Sequence, residues 1–266
     1  MAKVLISIVY YGESEDIKKA VSSIRNMSSV RAGIPASDRR QNTYLIAVVY
    51  NGGDRKVLES IAEKGDVRIL DMPKNVGFGA GHNAAFKKFG KESDYIVIAN
   101  PDIELRSDAI RSLTAFMDDN PDVGIAVPRL TDADGNLLAV YRRDPTVTDM
   151  FFRRFLPKAF KKRDAYHTMR DADYSSVFDV PFAQGSFLVV RSDLFRECGG
   201  FDKRYFLYME DADLCRKIRK THRCVYFPGA EVVHLWKRGS KKDGKLFGIH
   251  VISMLKYFNK WGWKLK

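Results

Sequence analysis

The sequence predicts an α/β fold with a Rossmann-like, mostly parallel sheet flanked by helices and a mixed second half. Three observations predict it. In residues 1–127, apolar runs and helical patterns alternate along the chain, and this order favours parallel strands. The runs are continuous and rich in β-branched residues, as in strands that are buried on both faces. After residue 127 the alternation gives way to turn signals and aromatic segments.

The elements of the first half follow in order from these patterns. The predicted strands are Lys3 to Val9, Tyr44 to Tyr50, Val67 to Leu70, Tyr95 to Ala99 and Val123 to Val127. The predicted helices are one capped by Ser14 with Ile17, Ala20, Val21 and Ile24 at helical spacing, then Arg55 to Glu63, Ala80 to Phe89 and Ser107 to Met117. Ligands of such sheets bind at the carboxyl ends of the strands, so we expect the site there.

The sequence of the second half predicts fewer regular elements. Asp134-Gly135 indicates a hairpin within Arg129 to Tyr141, and Phe151 to Phe160 reads as a short helix or flap. Further on we expect a strand over Val177 to Val190 broken at Gln184-Gly185, a helix over Asp211 to Lys220, and strands over Cys224 to Phe227 and Glu231 to Leu235. Residues 1–236 are predicted to form one domain with halves 1–127 and 128–236, and 237–266 form a basic, aromatic tail.

The composition excludes several classes of protein. Hydrophobic residues make up 45% of the 266 residues, which excludes a disordered or collagenous chain. No apolar run approaches the roughly 18 residues that span a bilayer, and the run Val4 to Val9 is too short for a signal peptide. We therefore expect a cytoplasmic protein. Its three cysteines form no CxxC pair, and we expect them to be free, buried thiols.

The net charge of +12 is concentrated in two segments. Residues 142–170 carry a net charge of +6, residues 237–266 carry +8, and the remainder is nearly neutral. Such segments are typical of surfaces that meet phosphate, a membrane or nucleic acid, although two solvated loops would have the same composition.

Asn100-Pro101-Asp102 directly follows the predicted strand Tyr95 to Ala99. Asp102 is therefore expected at the edge of the sheet where ligands bind. The tripeptide also suits an ordinary turn, so alone it is weak evidence of function.

A glycine-rich segment, Asn75 to Asn83, precedes a predicted helix. Its three alternating glycines would let backbone amides approach a phosphate or a sugar at a helix N-terminus. It matches neither the dinucleotide-binding nor the P-loop pattern, and a flexible strand-to-helix loop explains it equally well.

Glu210-Asp211-Ala212-Asp213 follows the aromatic run Tyr205 to Met209. Carboxylates crowded beside bulky side chains are typical of a general base, and an acidic first turn of a helix is the alternative. Asp213 fits the alternative, whereas Asp211 or Glu210 fits the catalytic role. His234 ends an apolar strand and would be structural unless Asp102 lies close by.

Together these motifs resemble the inverting glycosyltransferases of family 2, which have the GT-A fold, over about residues 3–236. The resemblance is carried by Leu5 to Val9, the NVGFGAGHN segment, NPD, the stretch from Gly199 to Asp211, and Pro228 to His234. It implies that Asp102 holds a divalent cation, Mg²⁺ or Mn²⁺, on the donor diphosphate, that Asp211 of the Glu210-Asp211 pair is the base, and that His234 touches the cation or the diphosphate.

The resemblance also implies the remaining site residues. Those on the donor side are Val9, Tyr10, Tyr11, Tyr50, Asn51, Asn75, Gly77, Phe78, Gly81, His82, Asn83, Asn100, Pro101 and Asp102, and those on the acceptor side are Gln184, Gly185 and Trp236. Two positions depart from the common pattern: Asn100 replaces an acidic residue, and Tyr50 stands where many relatives carry an aspartate that reads a pyrimidine.

The predicted activity is transfer of a sugar from a nucleotide diphosphate to a hydroxyl of a surface polysaccharide or lipid-linked glycan, with inversion. Relatives with Asn-Pro-Asp are often rhamnosyltransferases, which favours L-rhamnose from dTDP-rhamnose, with a UDP-sugar donor as the alternative. A basic nucleic-acid-binding protein is the rival from another class, but it leaves Glu210-Asp211 unexplained. We expect no nucleic-acid partner.

The tail predicts a helix from Lys245 onward, ending in Trp261-Gly262-Trp263 with interspersed lysines. Aromatic rings and lysines in this arrangement are typical of a helix at a membrane surface. We expect a protein peripheral to the inner face of the cell membrane, held by its tail on anionic lipid. Packing of the same helix on the domain or on a second subunit is the alternative.

Overall fold

The computed structural model describes residues 2–12, 15–27, 42–149, 161–235 and 244–264. The helices are α1 (Asp16–Arg25), α2 (Arg55–Ala62), α3 (Phe78–Phe89), α4 (Ala109–Asp119), α5 (Lys161–His167), α6 (Ser192–Glu197), α7 (Glu210–Ile218) and α8 (Gly244–Trp261). The strands are β1 (Lys3–Gly12), β2 (Thr43–Gly53), β3 (Val67–Asp71), β4 (Tyr95–Ala99), β5 (Ile103–Glu104), β6 (Val123–Thr131), β7 (Phe178–Asp179), β8 (Phe187–Arg191) and β9 (Arg223–His234). The predictions for Ser14, Phe151 to Phe160 and Trp236 lie outside the described residues.

One sheet runs through both halves of the chain in the order β3-β2-β1-β4-β8-β6-β9-β5, and β7 pairs with β9. The strands from β3 to β4 are all parallel. Beyond β4 the sheet is mixed, because β8 is antiparallel to β4 and β6, whereas β6 and β9 are parallel. The predicted fold class, a mostly parallel sheet with a mixed second half, is confirmed.

The strands are apolar because helices cover the sheet. All five residues of β4 are buried, and α3 packs on β1 and β2 while α4 packs on β6 and β9. Burial of continuous Val, Ile and Leu runs on both faces supplies most of the free energy that favours this fold.

Three predictions in the second half differ from the structure. The strand expected over Val177 to Val190 is two separate strands, β7 and β8, and residues 180–186 between them belong to neither. The strands expected on either side of Pro228 form the single strand β9, and its pairing with β6 shifts register between Pro128 and Arg129. Proline has no N–H to donate, so the irregularity accommodates Pro228 without ending the strand. The Asp134-Gly135 turn forms, with Gly135 at φ +85°, but its pairing is limited to a Thr131–Leu137 bridge.

The sheet brings four segments to one edge. β1 and β2 end there, and the turn Asn100-Pro101-Asp102 follows β4 directly. Because β8 is antiparallel to β4, with Phe187 opposite Ala99, residues 184–186 reach the same edge just before β8 begins.

α8 packs on the domain. Its residues Tyr257 and Phe258 are buried with Phe182, Tyr205, Met209 and Ala212 in a small cluster beside the main core. Packing, the alternative expectation for the tail, therefore describes one face of this helix. No helix among the described residues combines the length and apolar character that crossing a bilayer requires. Cys215 and Cys224 are buried free thiols, as expected, and Cys198 is partly exposed.

Candidate active site

Asp102 and His234 lie side by side at the edge of the sheet. The Nε2 atom of His234 is 3.2 Å from Oδ1 of Asp102 and 3.5 Å from the side-chain nitrogen of Asn100. Pairing of β5 with β9 brings them together, and the Leu235 amide donates to the Asp102 carbonyl at 2.8 Å. His234 is buried, whereas the Asp102 side chain is partly exposed. We expected His234 to be structural unless Asp102 lay close by, and the two side chains are in contact.

This pair fits a divalent cation that is shared with a ligand. Mg²⁺ and related hard cations are often held by one or two carboxylates together with substrate phosphates, and imidazole suits Mn²⁺ less well than oxygen but is tolerated. In the part of the chain that the structure describes, no group of three His, Cys, Asp or Glu side chains gathers around one point. A cation here would therefore need further ligands besides these two side chains, and the oxygens of a bound diphosphate are one suitable source.

Asp211 lies in the first turn of α7 and is held by backbone amides. Gly185 N donates to its Oδ2 at 3.0 Å, and Ala212 N donates to its Oδ1 at 2.9 Å. Burial raises the pKa of Asp211, and these two hydrogen bonds and the charge of Arg142 oppose the rise. A fixed carboxylate with a raised pKa has the properties of a general base.

Glu210 is more deeply buried than its neighbour. Its side chain is 3% exposed, and its Oε2 has no hydrogen-bond partner among the described residues. Burial raises the pKa of Glu210, and the charge of Asp211 raises it further. The two carboxyls therefore hold on to protons more tightly than isolated ones.

Residues 184–186 connect the two carboxylate sites. Ser186 O accepts the Asn100 amide at 2.9 Å, and Gly185 N donates to Asp211, so one short segment touches both. Gly185 also packs against Phe78, where an added Cβ would lie 3.0 Å from a ring carbon. The side-chain oxygens Gln184 Oε1 and Ser186 Oγ are buried and have no hydrogen-bond partner in the described residues.

The glycine-rich segment is packed against protein atoms. Gly77 has φ +88°, and a Cβ there would overlap the carbonyl group of Phe206, whose oxygen accepts the Phe78 amide at 3.0 Å. Added Cβ atoms at Gly79 and Gly81 would lie 2.6 Å from Phe201 and 2.8 Å from Val9. Gly77 and Gly79 therefore allow close packing between the two halves of the chain, and Gly81 allows it within the first half.

Amides and side chains of this segment are also used within the protein. Asn51 donates to Gly77 O at 3.1 Å and accepts from Val76 N at 3.3 Å, and Asn75 Oδ1 accepts from Gly77 N at 2.9 Å. Asn83 exchanges two hydrogen bonds with the backbone of Phe201, at 2.7 and 2.9 Å. The approach of a phosphate to this segment stays a prediction.

His82 is fully buried, and burial lowers its pKa to about 3. Its Nδ1 lies 2.8 Å from Ser7 Oγ, and its ring packs edge-on against Phe78 with a centroid distance of 4.5 Å. A neutral, enclosed imidazole cannot reach a ligand directly. His82 instead stabilises the glycine-rich segment through its contacts with Ser7 and Phe78.

The donor-side residues at the ends of β1 and β2 differ in exposure. Val9 and Tyr10 are buried, whereas Tyr11 is 65% exposed. Tyr50 is partly buried, its hydroxyl donates to Gly53 O at 2.8 Å, and the Arg55 guanidinium lies 5.2 Å from its ring centre. Tyr11, Tyr50, Pro101 and Asp102 are thus accessible at this edge, and their contact with a donor stays a prediction.

Sequence analysis missed two residues that matter for this site. Arg142 is near enough to Asp211 to lower its pKa, but it stood out only as part of a basic segment. Asp213 is fully buried and bound by Lys260 and Trp261 of α8, so it is more than an acidic first-turn residue. Its partners lie 47 and 48 positions further along the chain, where no local pattern links them to it.

The sequence is similar to characterised sugar-transferring proteins. An "N-acetylglucosaminyl-diphospho-decaprenol L-rhamnosyltransferase" of Mycobacterium tuberculosis is 30% identical over 190 residues, which cover 67% of this chain and 62% of that protein. "Rhamnosyltransferase WbbL" of Escherichia coli K12 is 26% identical over 265 residues, covering 96% of this chain and 92% of the relative. The chain spans about three fifths of the length of the mycobacterial relative.

Solved structures share the fold at low sequence identity. The structure of GalNAc-T7 with UDP, GalNAc and Mn²⁺ has a TM-score of 0.67 at 15% identity and covers 97% of this chain and 48% of that one. A mannosyltransferase of Pyrobaculum calidifontis with GDP-Man and Mn²⁺ has a TM-score of 0.60 at 16% identity, with coverages of 98% and 71%. The fold is therefore the GT-A fold.

The profile of "Glycosyl transferase family 2" matches residues 5–199, nearly three quarters of the chain. This range includes the glycine-rich segment, the Asn100 to Asp102 turn and the Gln184-Gly185 segment. The motifs, the fold and the similar proteins agree, and the chain belongs to glycosyl transferase family 2.

Proposed function

We propose that the protein is an inverting glycosyltransferase with Asp211 as its general base. The observation that carries the proposal is the fixed Asp211 carboxylate, which shares the 184–186 segment with the Asn100 to Asp102 turn. A base and a diphosphate-binding turn on the same edge are the two groups that a single-displacement transfer requires.

In this mechanism Asp211 takes the proton of an acceptor hydroxyl as that oxygen attacks the anomeric carbon of the donor. The bond between this carbon and the diphosphate oxygen breaks, and the nucleoside diphosphate leaves from the opposite face, which inverts the anomeric centre. The amides of Gly185 and Ala212 hold Asp211 in one orientation, so its free lone pairs are directed before the acceptor arrives.

The second part of the proposal concerns a divalent cation, Mg²⁺ or Mn²⁺, held by Asp102 and His234. When bound, it would neutralise the charge that develops on the departing diphosphate. The 3.2 Å contact between the two side chains and the partial exposure of Asp102 support this assignment.

The proposed donor is dTDP-L-rhamnose, and the proposed acceptor is a lipid-linked saccharide of the N-acetylglucosaminyl-diphospho-lipid type. The support is the rhamnosyl transfer named for both bacterial relatives and the acceptor named for the mycobacterial one. The Asn100-Pro101-Asp102 turn, a sequence often found in rhamnosyltransferases, also supports dTDP-L-rhamnose as the donor.

The experiment mixes purified protein with dTDP-L-rhamnose and a short-chain N-acetylglucosaminyl-diphospho-lipid, with and without Mn²⁺, and analyses products by mass spectrometry. We expect addition of one deoxyhexose and inversion at its anomeric centre by NMR. UDP-glucose, UDP-GlcNAc and GDP-mannose are the comparison donors. Transfer from one of these alone would overturn the choice of donor, and retention of configuration would overturn the mechanism.

We further propose that the outward face of α8 rests on the anionic inner surface of the cell membrane. Phe247, Ile252 and Leu255 of α8 and the following Trp263 are all more than 40% exposed, although one face of α8 is buried on the domain. Basic residues of the tail add up to about 1 kcal/mol each near anionic lipid, so the net charge of +8 supports binding of this face.

Vesicles of phosphatidylcholine with and without phosphatidylglycerol test this contact by co-sedimentation. The double variant Ile252→Ser/Leu255→Ser should bind anionic vesicles at least several-fold more weakly than the wild type. Val177→Ser is the matched control, because Val177 is equally exposed but is remote from α8 in the chain. Equal sedimentation of the wild type with neutral and anionic vesicles, or of the double variant and the control, would contradict the proposal.

A further inference from the structure

The catalytic turn has an unusual backbone. Tyr208 and Met209, the two residues before Glu210, have φ values of +70° and +67°. Side chains with a Cβ avoid this left-handed region, so two such residues in succession persist only when the surrounding contacts hold them. The orientation of Asp211 depends on whatever supplies those contacts.

α8 contacts the segment that leads into this turn along one helical face. Ser253 Oγ donates to Leu207 O at 2.8 Å, Lys256 Nζ donates to Arg204 O at 2.6 Å, and Lys260 Nζ donates to Asp202 Oδ2 at 2.8 Å. Positions three and four residues apart lie on the same side of a helix, so successive turns of α8 bind successive parts of the segment.

α8 also binds the residue that follows the turn. Asp213 is fully buried, and its carboxylate accepts from Lys260 Nζ at 2.9 Å and from Trp261 Nε1 at 2.7 Å. Lys217 lies further away, at 3.8 Å. One ammonium group, that of Lys260, therefore joins Asp202 and Asp213, the two ends of the segment that contains the catalytic turn.

Apolar contacts also hold the catalytic turn against α8. Met209 packs in the cluster with Tyr257 and Phe258 of α8, and the ring of Tyr208 lies 4.9 Å from that of His250. On the opposite side, the segment is attached to the glycine-rich loop by the hydrogen bond from Phe78 N to Phe206 O. The catalytic turn is thus held between the donor-side loop and the C-terminal helix.

From these contacts we infer that Lys260 and Trp261 are positioning residues for sugar transfer, acting on Asp211 through Asp213. This inference rests on the proposed function, in which Asp211 is the base. Through these residues, α8 sets the orientation of the base besides presenting its other face outward. A misplacement of about 1 Å in a catalytic group can cost roughly 10²-fold in rate, so loss of these contacts should lower kcat strongly.

Full-length variants test the inference with dTDP-L-rhamnose and the short-chain N-acetylglucosaminyl-diphospho-lipid as probes. Lys260→Met should lower kcat by roughly 10- to 100-fold. The donor KM, and the dTDP affinity by calorimetry, should change less than about threefold, because the donor site is on the other side of the turn. Lys260→Arg keeps the positive charge beside Asp202 and Asp213 and should therefore retain more activity than Lys260→Met.

Trp261→Phe removes one hydrogen bond and keeps an aromatic ring, so it reports on positioning even where Lys260→Met does not fold. It should lower kcat several-fold with the donor KM unchanged. Lys203→Met is the matched control, since Lys203 is exposed, neighbours Asp202 and carries the same charge. It should keep wild-type kinetics.

Amide hydrogen exchange of residues 202–213 gives a readout that requires no substrate. It should be faster in Lys260→Met and Trp261→Phe than in Lys203→Met. An unchanged kcat in Trp261→Phe together with unchanged exchange would overturn the inference. An active Asp211→Asn variant would instead overturn the proposed function, so the two failures are distinguishable.

Discussion

Substitution of Gly77 by alanine tests how the two halves of the chain are joined. Gly77 has φ +88°, which costs an alanine roughly 1–2 kcal/mol. The new Cβ would also overlap the carbonyl group of Phe206 and displace it from Phe78 N, and a lost hydrogen bond of this kind costs about 1 kcal/mol. We expect Gly77→Ala to lower the free energy of unfolding by about 2–3 kcal/mol, the sum of these two effects.

Gly135→Ala is the control, because Gly135 has a similar φ of +85° but no atom within 4 Å of an added Cβ. It should cost only the backbone strain, roughly 1–2 kcal/mol. Urea unfolding measures both values through the shift in midpoint. The Gly77 variant should also lose activity, since Phe206 belongs to the segment that leads to Asp211. Equal midpoints for the two variants would refute the close packing inferred at Gly77.

Four further predictions follow from the site. Asp102→Ala should abolish the enhancement of dTDP binding by Mn²⁺ in calorimetry, and an undiminished enhancement would rule out Asp102 as a ligand. Asn100→Asp adds a carboxylate beside His234 and should tighten that Mn²⁺-dependent binding, whereas weaker binding would argue against a shared cation. Burial raises the pKa of both carboxyls, that of Glu210 from 4.5 to about 8, so the folded protein retains protons that the unfolded chain releases. This contribution to stability is fully present below the unfolded-state pKa and is lost as pH rises through the folded-state pKa. Glu210→Gln should flatten the decline in urea midpoint between about pH 4.5 and pH 8, and an unchanged decline would place its origin elsewhere. Asn83→Ala removes both hydrogen bonds to Phe201 and should destabilise the protein by about 2 kcal/mol in the same assay, against less than about 0.5 kcal/mol for the exposed Asn136→Ala; similar losses would contradict the role of Asn83.

The parallel half of the fold could be predicted because local pattern and burial agree there. The run Tyr95 to Ala99 coincides with β4, since a strand covered on both faces is apolar throughout. Helix α3, in contrast, begins at Phe78 and not at Ala80, because Gly77 and the Phe206 carbonyl define its start. That carbonyl lies more than 120 residues away in the chain and leaves no local signal.

In the candidate site, too, residues with a local sequence signal could be predicted, whereas contacts between distant parts of the chain could not. Asp102 and Asp211 stood out because they follow or begin regular elements, and proximity of Asp102 to His234 was the condition named for a role of His234. The buried pairing of Asp213 with Lys260 and Trp261 could not be predicted, because an acidic residue in a first helical turn is equally common in solvent. The tail illustrates why composition alone left two alternatives open: one face of α8 is packed, while the other exposes Ile252 and Leu255.

The most direct test of the account compares the wild type with Asp211→Asn in transfer from dTDP-L-rhamnose to the short-chain acceptor, together with dTDP binding by calorimetry. Asparagine keeps the shape of the side chain but has a single acceptor oxygen, so it can accept the hydrogen bond from Gly185 N or from Ala212 N but not both, and it cannot take a proton. We predict unchanged dTDP affinity and a loss of kcat of about 10² to 10⁴. Turnover within a few-fold of the wild type would show that Asp211 is not the base.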